Sequence, residues 1–266
     1  MKKTIIIAWA LLAAGLCAAQ EKPETKQVKI SFDTVGADTA RAIAIVDRYL
    51  RMIDYSQYRT DSMMCAVSYI IDQSHPKDTM TLYRWFWGTM QMRSEIWQGG
   101  KMSDGYYTNG TSLFRNFSGK QREWMDLTQE SFLSWTMPLD IRGALYNWRS
   151  KGAELYYAGE YNFKGQPLDR IFVTAPDTYD RYYYFEKNSG LLCFVTEEEH
   201  VYGDPEIRKD SKAVDWRAWQ EFVPFRGYYL PSVESYQIED QIVVITTSYR
   251  YEAPNSKLFT EDYRRR

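Results

Sequence analysis

Two histidines, one acidic run and a pair of cysteines are the residues from which any chemistry in this sequence would have to be built. His75 stands in Ser74-His75-Pro76, a turn signature, and His200 closes the run Glu197-Glu198-Glu199. Paired carboxylates carry out acid–base work in glycoside hydrolysis, so a secreted hydrolase with an unrecognised carboxylate site is one reading of that run. Neighbouring strand residues point to opposite faces, which leaves only Glu197 and Glu199 on one side; a solvated strand end is the simpler reading. The chain has no GxSxG elbow, HExxH pair, P-loop or GxGxxG fingerprint. The expectation is a protein that is not an enzyme, with no catalytic residue, metal ligand or cofactor.

The N-terminus has the order of a cleavable secretory signal: Met1-Lys2-Lys3, an apolar run from Ile5 to Leu16, then Ala18-Ala19 before Gln20. The cut is expected before Gln20, giving a signal over 1–19 and a periplasmic mature chain. Retention of Cys17 as a lipidated first residue is the competing reading, but Leu16 stands where such signals carry Gly, Ala or Ser. The apolar run falls short of the roughly 20 residues a membrane-spanning helix needs. Outside the cytoplasm Cys65 and Cys193 would be able to pair. Neither belongs to a CxxC or Cys/His cluster, and their apolar flanks favour two core thiols.

Composition narrows the class further. With 35 acidic against 33 basic residues the chain has no electrostatic reason to bind nucleic acid. Aromatic residues make up 16%, including 22 Tyr; their broad apolar faces either fill the inner side of a large sheet or line a site for an apolar ligand.

These side chains need elements to carry them. Residues 20–37 are polar, with Pro23 and Gly36, and read as a flexible leader. Asp38 is placed to cap an amphipathic helix whose stripe is Ile43, Val46, Leu50 and Ile53, a stripe expected to lie on the hairpins that follow. From Tyr58 to Asp126 the pattern is strand-like, punctuated by turn signals that include Gly99-Gly100, Asp104-Gly105 and Asn109-Gly110. Leu127, Phe132 and Trp135, then Ile141, Leu145 and Trp148, are spaced for two short helices near Pro138. Strands resume from Ala153 to the Tyr251 region, with Glu197 to Glu199 inside one of them and Pro231 near an edge. One domain over 38–256 and a charged tail over 257–266 are expected. The fold class is mainly antiparallel β, a curved, unclosed barrel of about ten strands covered by a few helices.

Parity assigns the faces. Met80, Leu82, Arg84 and Phe86 share one side of a strand, and Met90, Met92, Ser94 and Ile96 share one side of the next. That side, with Phe132, Trp135, Leu145 and Trp148 from the helical insert, is the expected apolar-cargo cavity, or equally an ordinary filled core. Arg93, Glu95 and tryptophans occupy the other side.

Short stretches also resemble LolA-type periplasmic lipoprotein carriers. Asp104-Gly105-Tyr106-Tyr107 followed by Asn109 is similar to that family's Asp-Gly-aromatic hairpin. Gly159-Glu160-Tyr161 through Arg170-Ile171, and Tyr184-Phe185-Glu186-Lys187-Asn188-Ser189-Gly190-Leu191, are similar to its paired strands and their turn. Asp38-Thr39-Ala40, Asp61-Ser62-Met63 and Asp78-Thr79-Met80 resemble O-glycosylation acceptors of exported Bacteroidetes proteins. The resemblance spans about residues 39–252. It implies shielding of lipoprotein acyl chains in an apolar cavity on the way to the outer membrane, with lipoprotein or lipid cargo, an inner-membrane lipoprotein-releasing transporter and an outer-membrane acceptor as partners. It also implies an arginine near the cavity that contacts a lid, for which Arg84 and Arg93 are the candidates. The charged Gly203 to Asp210 loop and the tryptophan density depart from the family. A filled half-barrel acting as an envelope protein-interaction module is the non-carrier alternative.

Overall fold

The helix that opens the fold, α1 (Val35–Ile53), buries Ala42, Val46, Tyr49 and Ile53, a four-three-four spacing that keeps one stripe facing inward. It starts ahead of the expected cap, so Asp38 lies in its first turn, where a carboxylate still favours the positive end of the helix dipole. The buried stripe is rotated from the expected one: Ile43 and Leu50 are only half-buried, while Ala42 and Tyr49 are covered. A computed structural model describes residues 35–54, 62–88, 91–109, 113–117, 120–124, 142–176, 179–197, 199, 201, 216–238 and 241–259.

Thirteen strands follow: β1 (Met63–Asp72), β2 (Met80–Trp87), β3 (Gln91–Gln98), β4 (Lys101–Asn109), β5 (Leu113–Phe117), β6 (Lys120–Trp124), β7 (Glu154–Phe163), β8 (Gln166–Ala175), β9 (Tyr179–Glu186), β10 (Leu192–Thr196), β11 (Trp216–Phe225), β12 (Tyr228–Ile238) and β13 (Gln241–Glu252). They hydrogen-bond in the order β6-β5-β4-β3-β2-β1-β13-β12-β11-β10-β9-β8-β7. The order begins at β6 and ends at β7, so the sheet is not closed. Two-residue turns at Gly99-Gly100, Lys164-Gly165 and Arg226-Gly227 have both central residues at positive φ, the geometry that matches right-handed strand twist. A 3-10 helix, Ser256–Phe259, ends the described chain.

The chain divides into two compact units. The first comprises Met1–Met52, Leu145–Trp219 and Tyr236–Gln241; the second comprises Ile53–Ala144, Gln220–Ser235 and Ile242–Arg266. Within the first, α1 is tied to the later strands β7 to β9. Tyr49 meets Phe185 edge-on at 5.5 Å. Arg41 donates to Asp169 at 3.0 Å and stacks over Tyr157 at 3.8 Å. Asp47 accepts both terminal nitrogens of Arg149 at 3.3 and 3.2 Å. Beneath the helix Leu155, Ile171, Val173, Tyr183 and Phe185 are fully covered, and burial of this apolar area is the main favourable contribution to holding the helix on the sheet.

Several local expectations are corrected. Asp104-Gly105 is not a turn but the middle of β4, next to an irregularity where Ile96 faces Asp104 while Trp97 faces Met102. Glycine is favoured there because a Cβ would stand 3.1 Å from the Ser94 carbonyl, a contact tight enough that the backbone would have to give by a few tenths of an ångström. The expected helix around Leu145 and Trp148 is instead a run of turns over 142–152, since Gly143, Asn147 and Gly152 each adopt positive φ and break any helix at every turn. Both Leu145 and Trp148 are nevertheless buried. Pro231 is buried inside β12, which has a strand on each side. Strand β10 stops at Thr196, so Glu197 to Glu199 lie beyond it.

Candidate functional site

Directly opposed residues of an antiparallel pair point to the same side of the sheet, so register alone assembles one face of the second unit. Tyr251, Met64, Phe86 and Met92 form one row across β13, β1, β2 and β3; Tyr249, Ala66, Arg84 and Ser94 form the next; Thr247, Ser68, Leu82 and Ile96 the third; and Ile245, Ile70, Met80 and Gln98 the fourth. Met64, Ala66, Phe86 and Leu230 are buried on this face, and Met92, Phe225, Tyr228, Tyr249 and Tyr251 pack against them while remaining partly accessible. Phe225 stacks on Tyr251 at 5.0 Å, and the Arg226 guanidinium lies 4.1 Å from the centre of that same ring. The result is an aliphatic floor with an aromatic and thioether margin, which can hold an apolar chain of variable shape.

One polar thread crosses it. Arg84, 8% exposed, donates from Nη2 to Ser68 Oγ at 3.1 Å, and Ser68 shares a 2.8 Å hydrogen bond with Thr247. Arg84 Nε has no partner among the described residues.

The opposite face of the same strands is covered at the Met63 end. Met63, Cys65, Val67 and Trp85 pack with Leu258 and Phe259 of the 3-10 helix, so residues beyond 256 contribute to the core. Arg93 Nε donates to Glu95 at 2.7 Å and its Nη1 to the Leu258 carbonyl at 3.0 Å; Trp97 donates to the other Glu95 oxygen at 2.9 Å.

No protein-family profile and no curated protein matches this sequence. Solved structures do match in shape. A LolA superfamily protein from Nitrosomonas europaea superposes with a TM-score of 0.56 at 14% identity, covering 84% of this chain and 98% of that one. The chain has the LolA fold. An outer membrane lipoprotein-sorting protein domain from Vibrio parahaemolyticus gives 0.57 at 8% identity, over 80% of this chain and 93% of that one. A DUF1329 family protein from Desulfovibrio piger gives 0.55 at 14%, over 83% and 97%.

On this LolA-like scaffold the structure brings Met80, Leu82, Arg84, Phe86, Met92 and Ile96 onto one face, as their parity required. Arg93 stands on the other face, occupied with Glu95 and Leu258. Leu145 and Trp148 belong to the first unit. Met90, Phe132 and Trp135 lie outside the described residues, as do the signal and most of the leader. Sequence reasoning missed Leu230, Phe225, Tyr228, Tyr249 and Tyr251. Alternation in β13 put Tyr249 and Tyr251 on one side, yet nothing local said which strand β13 would join.

Two carboxylates of the acidic run are paired, and Glu198 and His200 lie outside the described residues. Glu197 pairs with Arg181, and Glu199 pairs with Arg170 at 2.9 Å, while Arg170 also donates to the Glu199 and Ala158 carbonyls. These pairs pin the chain after β10. His75 contacts Asp72 at 2.9 Å, and Asp72 also accepts from the Ser74 amide at 2.8 Å, a turn-closing arrangement. Among the described residues no cluster of three or more His, Cys, Asp or Glu is positioned to hold a metal ion, and no helix is long and apolar enough to cross a membrane.

Cys65 and Cys193 both remain thiols. Burial pushes the Cys193 thiol up to about 11, because a dry site disfavours the thiolate. Since the thiolate is the nucleophile, Cys193 in the native protein is expected to react with iodoacetamide at pH 8 at least about tenfold more slowly than a free thiol, whose pKa is about 8.5. The rate should still be climbing at pH 10. Quenched alkylation read by mass spectrometry checks this; a plateau by pH 9 would contradict it.

Proposed function

We propose that this protein is a non-enzymatic periplasmic carrier that shields the acyl chains of lipoproteins, or of other apolar cargo, for transfer to the outer membrane. The observation that carries this reading is the face built on Met64, Ala66, Phe86 and Leu230, whose flanking Met92, Phe225, Tyr228, Tyr249 and Tyr251 stay partly accessible on a LolA-like scaffold. Burying an acyl chain against such a face gains about 0.8 kcal/mol per CH₂, so affinity needs area and no catalytic group. The lipoprotein-sorting domain among the structural neighbours supports lipidated cargo. An inner-membrane lipoprotein-releasing transporter and an outer-membrane acceptor are the partners this role calls for. The candidate cavity residues Met80, Leu82, Phe86, Met92 and Ile96, which share one face of the second unit, are proposed to line the cargo site, and Arg84 on that face suits a contact with it better than Arg93.

The test is to purify the protein from the periplasm of its own host, denature it, and search by mass spectrometry for acyl-chain species. Stoichiometric lipid or lipopeptide is expected. Met92→Glu should lower binding of a fluorescent acyl probe by at least about tenfold, the loss of roughly two buried methylenes, with little change in melting temperature because Met92 is only half-buried. Collapse of the fold in that variant would make Met92 core, and repeated absence of lipid would favour a filled half-barrel that contacts proteins.

A further inference from the structure

Arg84 is placed where an apolar floor has no use for it. It sits between Ala66 and Ser94 as their direct cross-strand partner, with Leu82 and Phe86 two residues away on its own strand and the same face. Ala66 and Ser94 are small and buried, so neither directly opposed side chain reaches along the guanidinium to offer it an anionic partner. An arginine stays charged in any protein environment, and burying a charge is costly unless an opposite charge or a full set of acceptors meets it. Among the described residues the partner is one neutral hydroxyl, Ser68 Oγ at 3.1 Å, and Nε has none. The Arg93 side chain, on the other face, shows the completed arrangement: a buried guanidinium joined to the carboxylate of Glu95 at 2.7 Å.

Resting on the carrier reading, we propose that Arg84 is the recognition point for a compact anionic group, a carboxylate or a phosphate, attached next to the acyl chain of the cargo. The anion would accept from Nε and supply the missing countercharge, and the chain would run over Phe86, Met64 and Met92 in the adjoining row. Guanidinium is suited to both heads because its planar fork matches carboxylate and phosphate oxygens. The cargo class is therefore an anionic amphiphile, and a neutral one of equal chain length is bound less well.

The experiment compares palmitate, lysophosphatidate and uncharged hexadecanol, each below its micellar concentration at pH 8.5, by tryptophan-fluorescence titration of the purified protein. Palmitate or lysophosphatidate should bind at least about tenfold more tightly than hexadecanol, and whichever is tighter identifies the head group. Arg84→Met should bring the anionic and neutral probes to within about threefold while leaving hexadecanol binding intact; Arg84→Lys should keep part of the preference. Replacing a buried charge by an apolar side chain of similar length is generally tolerated by the fold, and the Lys variant guards against the case where it is not. An unchanged preference in Arg84→Met, or no preference in the wild type, overturns the proposal. So does displacement of palmitate by millimolar acetate or inorganic phosphate alone, which would mark a free-anion site. Absence of binding by all three probes would instead count against the carrier reading itself.

Discussion

Glu95→Ala is expected to destabilise the protein by about 3–5 kcal/mol, the usual consequence of removing one partner of a buried ion pair. The Glu95 side chain is 1% exposed and the Arg93 side chain 5%. Each Glu95 oxygen has its own donor, Arg93 Nε at 2.7 Å and Trp97 Nε1 at 2.9 Å, and Arg93 in turn holds the Leu258 carbonyl at 3.0 Å. Without the carboxylate, a guanidinium and an indole N–H lose their acceptor in a site closed by Leu258 and Phe259. A domain of ordinary stability, about 5–15 kcal/mol, would be left near its folding threshold. The sharper result is the comparison with the double replacement Arg93→Met, Glu95→Leu. Removing both charges together takes away the desolvation cost along with the attraction, so about half or more of the loss should return. In the double variant the Leu258 carbonyl still loses its donor, and there the 3-10 helix should exchange its amide hydrogens faster. Urea denaturation gives the first quantity and hydrogen exchange the second. A loss below about 1 kcal/mol in Glu95→Ala would mean that water already reaches the pair.

Whether a residue was legible in the sequence depended on how local its reason was. The faces of β2 and β3 follow from a period of two, and the cross-strand register put Leu82 opposite Ile96 and Phe86 opposite Met92 as that period required. The helix α1 was legible in kind but not in phase, because Tyr49 reads as amphipathic and Ala42 as indifferent, yet both pack inward. Gly105 looked like a turn because glycine serves turns and close backbone approaches alike, and only the Ser94 carbonyl distinguishes them. The segment 142–152 had helical apolar spacing and non-helical backbone; spacing reports which side chains are buried, and Leu145 and Trp148 are. The rest of the candidate site depends on pairing between distant strands. Ser68 bonds Thr247 across 179 positions, and no window of sequence contains both. The isolation of Arg84 is equally invisible, since a missing partner is a property of three dimensions. Glu197 and Glu199 show the converse: their charges looked available in the sequence, but Arg181 and Arg170 stand beside them.

Gly190→Ala is expected to cost about 2–3 kcal/mol, a large effect for one methyl group, and its origin joins a turn to the helix that lies over the sheet. The residue has a φ of 79°, a conformation that costs an L side chain about 1–2 kcal/mol. A Cβ would also stand 2.7 Å from Arg48 Nε and 3.0 Å from its Cζ. Arg48 could swing away, but it is donating to the Lys187 and Asn188 carbonyls at 3.2 and 2.7 Å, and moving it surrenders those bonds. The same turn is held from within by Glu186, whose carboxylate accepts from the Asn188 and Ser189 amides at 3.1 and 2.6 Å. The stretch from Tyr184 to Leu191 is thus an anchor for α1: Glu186 shapes the turn, the turn presents its carbonyls, and Gly190 leaves the space through which Arg48 reaches them. Strain and contact can be separated by a double-mutant cycle. In an Arg48→Ala background, Gly190→Ala should cost only its backbone strain, about 1–2 kcal/mol, so the double variant should lose little more than Gly190→Ala alone and clearly less than the sum of the two single losses. Strict additivity of the two, measured by urea denaturation with unchanged m-values, would show that Arg48 does not occupy the space above Gly190 in solution and that α1 is held by Arg41, Asp47 and its buried stripe alone.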